Sequence, residues 1–98
     1  MPSASRWIIW SVEAEEDLFQ IWAYLAQHAS LAVADRQLCD IRRGSRRLIR
    51  LPYSGRPRDD LIQGIRSIPV APCVVFYRVS DIVSVLHGRR DLEVIFKH

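Results

Sequence analysis

Val74-Val75-Phe76-Tyr77-Arg78-Val79-Ser80-Asp81-Ile82-Val83-Ser84-Val85-Leu86-His87 is the stretch that decides the fold. Apart from Arg78, its first six residues are β-branched or aromatic, in a run of strand length. Alternation sets Val74 and Phe76 on one face and Val75, Tyr77 and Val79 on the other, so the segment reads as a central strand. Ser80-Asp81 supplies a tight turn into Ile82–His87, which predicts a β-hairpin. Upstream, Ile65–Val70 has strand character, but Pro69 lacks an amide donor and restricts it to an edge position or a bulge. Downstream, Leu92–Phe96 reads either as a last short strand or as a helical turn.

Further toward the N-terminus the period changes. Trp7-Ile8-Ile9-Trp10 is a short aromatic and β-branched run, read as a first strand. Ser11 can cap a helix whose early Glu13, Glu15 and Glu16 suit the positive end of the dipole. Leu18, Ile21, Trp22 and Leu25 recur at i, i+3, i+4 and i+7, which makes one apolar helical face. That helix should fade near His28-Ala29, and Ser30 can cap a second one. There Ala34, Leu38, Ile41, Ser45 and Leu48 keep a 4-3-4-3 spacing, weakened at Gly44 and stopped by Pro52. Arg36, Arg43, Arg46, Arg47 and Arg50 fall largely off this stripe and read as a solvated face. Residues 53–64, rich in Gly, Pro, Asp and Arg, read as a loop. The order is β-α-α-β-β-β with a possible final β. It predicts an α+β domain spanning residues 1–98, with an antiparallel two-helix hairpin on one face of a largely antiparallel sheet.

Ninety-eight residues, 49% of them hydrophobic, suit one small folded domain and exclude a disordered chain. The net charge of +3 is unevenly spread. Residues 36–58 hold Arg36, Arg42, Arg43, Arg46, Arg47, Arg50, Arg56 and Arg58 against Asp40 alone, and Lys97 is the only lysine. Arginine offers a planar fork to carboxylate or phosphate; codon usage in a GC-rich genome is an equally ready source of the excess. Cys39 and Cys73 have neither a disulfide framework nor a zinc spacing, and read as buried free thiols in a reducing cytosol. No apolar run reaches the length of a signal peptide core or a membrane span, so the expected setting is cytoplasmic and without membrane contact.

An ordered set of motifs then carries a resemblance. Ala14-Glu15-Glu16-Asp17-Leu18 and Ile21-Trp22-Ala23-Tyr24-Leu25 are followed by Leu51-Pro52, Gly55-Arg56-Pro57-Arg58, Asp60-Leu61 and Gly64-Ile65-Arg66-Ser67. Pro69-Val70, Phe76-Tyr77-Arg78-Val79 and Val85-Leu86-His87-Gly88-Arg89-Arg90-Asp91 complete it. Any one piece is weak, but in this order and spacing the chain from about residue 7 resembles the ParE toxins of the ParE/RelE superfamily of type II toxin–antitoxin modules. The resemblance implies a RelE/ParE-like fold, neutralisation by a ParD-like antitoxin, and inhibition of DNA gyrase. DNA would be met indirectly, through the antitoxin of the complex. Two alternatives accompany it: a RelE-like ribosome-dependent mRNA endoribonuclease, and a degenerate toxin that mainly binds its antitoxin. No cofactor or metal is implied.

The candidate residues divide by role. A metal-independent nuclease needs a general acid–base pair and charge stabilisation at phosphorus. For that alternative the candidates are His87, Arg66, Arg78 and Arg89. Only His87 titrates near neutrality, and a structural role anchoring the strand end is the reading preferred for it. The C-terminal Phe96 and the lack of lysine in the middle of the chain depart from the nuclease pattern. Arg66 and Arg78, inside strands, are expected to pair with Asp59, Asp60 or Asp91. Arg56 and Arg58, flanking Pro57, are the favoured target contacts. Arg89 and Arg90 are further ones, although Asp91 beside them can form an internal salt bridge. Leu18, Trp22, Leu25 and Leu38 are the candidate antitoxin contacts, on an apolar strip along the helix pair. Tyr53 is a freer aromatic candidate than Tyr77.

Overall fold

The strand predicted around Tyr77 is central to the sheet. In the computed structural model, which describes residues 8–88 apart from the side chain of Val83, Cys73–Arg78 pairs on both sides with antiparallel neighbours. The helices are α1, Val12–His28, and α2, Leu31–Arg50. The strands are β1, Arg56–Pro57, β2, Arg66–Val70, β3, Cys73–Arg78, and β4, Asp81–His87, arranged in the order β1-β2-β3-β4. Arg89, Arg90, Asp91 and Leu92–Phe96, as well as Trp7 of the predicted first strand, lie outside the described residues.

Both helix starts are as predicted. Ser11 Oγ accepts the Ala14 amide at 3.0 Å and Ser30 Oγ accepts the Val33 amide at 3.1 Å, satisfying donors that a helix leaves open. The two-residue link Ala29-Ser30 turns the helices back on one another. Ala14, Leu18, Ile21 and Leu25 of α1 and Ala34, Ile41, Ser45 and Leu48 of α2 face the core. Gly44 is part of that buried face because the helix runs close to β2. A Cβ there would lie 3.0 Å from Val70 Cγ2.

The helices cover one face of the sheet, through Cys73, Val75 and Tyr77 of β3 and Ile82, Val85 and His87 of β4. The two β4 residues 82 and 85 share a face only because the ladder is bulged between Phe76 and Tyr77. There Ile82 pairs with Tyr77 while Ser84 pairs with Phe76, and the extra residue resets the alternation. Val79 departs from the expected face. β3 ends at Arg78, Val79-Ser80 form the turn, and Val79 is 49% exposed.

Residues 8–10 take the place of the predicted first strand as a single parallel bridge, Trp10 to Ile82, flanked by two backbone hydrogen bonds with Ile82. Pro69 stands in the part of β2 beyond the reach of β1, where the edge has no strand partner among the described residues and a missing donor costs nothing. The segment read as a loop contains β1, whose residues pair as Arg56 with Ser67 and Pro57 with Arg66. Cys73 is buried as expected, but Cys39 is exposed on α2.

Candidate functional site: the outer sheet face and the helix groove

The strand register sorts the arginines between two faces. Directly paired residues share a face, and neighbours along a strand alternate. One row, Pro57, Arg66, Tyr77 and Ile82, turns toward the helices. The next, Arg56, Ser67 and Phe76, turns away from them.

Arg66 is on the inner row and is held internally, as expected, but by carbonyls rather than by a carboxylate. Its Nη1 donates to Gly55 O at 2.8 Å and Tyr53 O at 3.0 Å. Its guanidinium lies 5.2 Å from the centre of the exposed Tyr53 ring, so Tyr53 is engaged at its face. The Tyr77 hydroxyl completes this junction, donating to Pro52 O at 2.8 Å and accepting from the Gly55 amide at 3.0 Å. Gly55 is required here, since a Cβ would sit 2.5 Å from the Tyr77 hydroxyl.

The outer face is built around half-buried Phe76. Arg58 Cζ lies 6.0 Å from its ring centre, Arg56 is exposed in the same cross-strand row, and exposed Arg78 is two residues along β3. Arg78 pairs with neither Asp59 nor Asp60 and makes no ion pair among the described residues; Asp91, the other expected partner, lies outside them. Arg58, by contrast, is paired. Its Nε and Nη2 donate to Asp60 Oδ1 and Oδ2 at 3.2 and 3.3 Å. The hydrogen bond from Arg58 is the main reason the Asp60 carboxyl titrates below the usual carboxylate range. A surface pair of this kind adds little stability, so Arg58 can exchange Asp60 for a better acidic partner.

Among the described residues, the nuclease candidates His87, Arg66 and Arg78 do not converge. His87 is 3% exposed, on the helix side, with its ring centre 5.8 Å from that of Tyr24. It pairs with Cys73, four residues along β3 from the Tyr77 that pairs with Arg66, a separation of about 13 Å at strand rise. Arg78 is on the other face, and Arg89 lies outside the described residues. His87 is thus packed at the strand end, where the neighbouring Gly88 amide bonds Pro72 O at 3.0 Å. Among the described residues no cluster of three or more His, Cys, Asp or Glu could hold a metal ion. No helix among them is long and apolar enough to cross a membrane.

On the helix pair, Leu18 and Leu25 are core residues, 3% and 9% exposed, and of the two only Leu18 reaches a surface groove. The reason is that the most regular apolar stripe of α1 is spent on the sheet. A groove beside it is lined by Glu15, Leu18, Phe19, Trp22, Leu38 and Arg42. Phe19 is 68% exposed, and the Trp22 indole donates to Asp35 Oδ1 at 2.9 Å, which bridges the two helices and fixes the groove wall. Of the four candidate contacts, Leu18, Trp22 and Leu38 line this groove and Leu25 does not. Phe19 was missed because it falls outside the Leu18-Ile21-Leu25 stripe. An apolar aromatic off the buried face was the available signal.

Two helices on one face of an antiparallel sheet, with an arginine-bearing outer face, define the RelE/ParE-like class. The family model described as ParE toxin of type II toxin-antitoxin system, parDE, matches residues 8–92, and the chain belongs to that family. Toxin ParE3 of Caulobacter vibrioides is 34% identical over 80 residues, covering 78% of this chain and 80% of that protein. A solved structure described as the chromosomal ParDE TA system from P. aeruginosa shares the fold. Its TM-score is 0.73 at 20% identity, over 87% of this chain and 98% of the other.

Proposed function

We propose that this ParE-family toxin acts by binding rather than by chemistry, that its target is DNA gyrase, and that it works in the cytoplasm. The observation that carries this reading is the split of the arginines. Arg56 and Arg78 are exposed on the face away from the helices, with Arg58 against Phe76, whereas Arg66 is committed to backbone carbonyls and His87 is buried on the opposite face. Among the described residues these forks have no histidine beside them, which favours recognition of carboxylate or phosphate over cleavage. Arg56, Arg58 and Arg78 are the assigned target contacts, and Arg89 and Arg90 extend the same assignment toward the C-terminus.

Neutralisation is assigned to a ParD-like antitoxin, in line with the ParDE description of the related P. aeruginosa structure. Its docking site is the helix groove at Phe19, Trp22 and Leu38, which suits the apolar face of an amphipathic helix. DNA binding of the complex would come through the antitoxin. Induced expression in a bacterial host tests the target. Plasmid DNA should lose negative supercoiling and accumulate cleaved forms while mRNA stays intact. Normal plasmid topology with rapid mRNA loss would sink the proposal.

A further inference from the structure

The solvent face of α2 carries a line of arginines that neither the core nor the outer sheet face uses. At 100° per residue, Arg36, Arg43, Arg47 and Arg50 fall within an arc of about 60°, roughly opposite the buried face of the helix. Fourteen residues at helical rise stretch the line over about 21 Å. All four are exposed, as is Arg46 on the flank, and none makes an ion pair among the described residues.

Between Arg36 and Arg50 the only acidic residue is Asp40. A solvated helix face gains from mixed signs at i, i+3 and i, i+4; here Asp40 alone supplies them, to Arg36 and Arg43, while Arg43 faces Arg47 and Arg46 faces Arg50. The helix dipole favours the arginines of the last turn, but Arg36 and Arg43 lie beyond its reach. The free protein therefore carries a repulsion that a polyanion would relieve.

The surroundings say which kind of polyanion. The exposed large apolar residues of α2 are Leu31 and Val33 in its first turn, and none lies between Ala34 and Arg50. A protein interface needs an apolar centre from which charge is depleted, while nucleic-acid interfaces are polar and strongly basic. We infer that α2 is a direct, sequence-independent contact for the phosphate backbone of a nucleic-acid duplex, made by the toxin itself. This contact is separate from the outer sheet face and does not depend on gyrase being the target.

The test is fluorescence anisotropy of the full chain with short mixed-sequence DNA and RNA duplexes, without gyrase, from about 50 to about 200 mM salt. Four phosphate contacts predict a log–log salt slope of about −3.6, and Arg43→Gln with Arg47→Gln should reduce its magnitude by about 1.8. Unchanged far-ultraviolet circular dichroism and melting would show that the variant is folded. The DNA and RNA arms identify which duplex is the source of the phosphates. Absence of binding to either duplex at the lowest salt would overturn the inference. So would a slope insensitive to the double variant, or tighter binding to polyglutamate than to either duplex, which would make the partner an acidic protein.

Discussion

Tyr77 joins the sheet to the segment that carries Arg56. Its ring is 1% exposed, and its hydroxyl bridges Pro52 O and the Gly55 amide just before β1. Tyr77→Phe keeps the packing but leaves that amide buried without a partner, which should cost about 1–3 kcal/mol in urea unfolding. The same variant should loosen Arg56 and weaken target binding beyond what the stability loss explains. Ser45 is the opposite case. It is fully buried in α2 and its hydroxyl has no partner in the described structure. Ser45→Ala removes an unsatisfied group and improves helix propensity, so it should stabilise the fold by about 1 kcal/mol. An unchanged or lowered melting temperature would contradict that. Ser45 stands in the regular 4-3-4-3 stripe of α2 in the sequence; that it stays unsatisfied is a matter of the packing around it, which no local pattern encodes.

At the scale of elements, α1 and β4 are locked by Asp17. Its Oδ2 accepts from the Val85 amide at 3.0 Å and from the Ser84 hydroxyl at 3.1 Å, occupying an outward-facing donor of β4. Asp17→Ala frees both donors and should cost about 1.5–3 kcal/mol, the range for hydrogen bonds to a charged acceptor. It should also raise amide exchange at Val85 more than at Val75 in the middle of the sheet. The helices were legible because their signals are local: a serine at each cap, a regular stripe, and a proline at the end. The central hairpin was legible from its apolar run, although its turn is Val79-Ser80 rather than the expected Ser80-Asp81, which belongs in part to β4. β1 was not, because Arg56-Pro57 has no periodicity of its own and is a strand only through its pairing with β2. The bulge was equally hidden. Strict alternation from Ile82 would have put Leu86 inside, whereas Leu86 is 44% exposed and Val85 is buried.

The whole molecule presents three surfaces with different chemistry. The sheet face away from the helices offers Arg56, Arg58 and Arg78 around Phe76. The groove along the helices offers Phe19, Trp22 and Leu38. The back of α2 is arginine with little else. The sequence located the family from the order of its motifs, but it could not assign each arginine to a surface. Arg66 and Arg78 look alike in a strand, and only the register separates an internal anchor from an exposed fork. The central question is whether the outer sheet face binds a target without performing chemistry. The most direct measurement is supercoiling by purified DNA gyrase in the presence of the purified chain. The wild type should inhibit, Arg56→Ala with Arg78→Ala should lose inhibition at least tenfold while keeping its melting temperature, and His87→Gln should inhibit in proportion to its folded fraction. Full supercoiling with the wild-type chain, or inhibition lost in folded His87→Gln but kept in the arginine variant, would contradict the account.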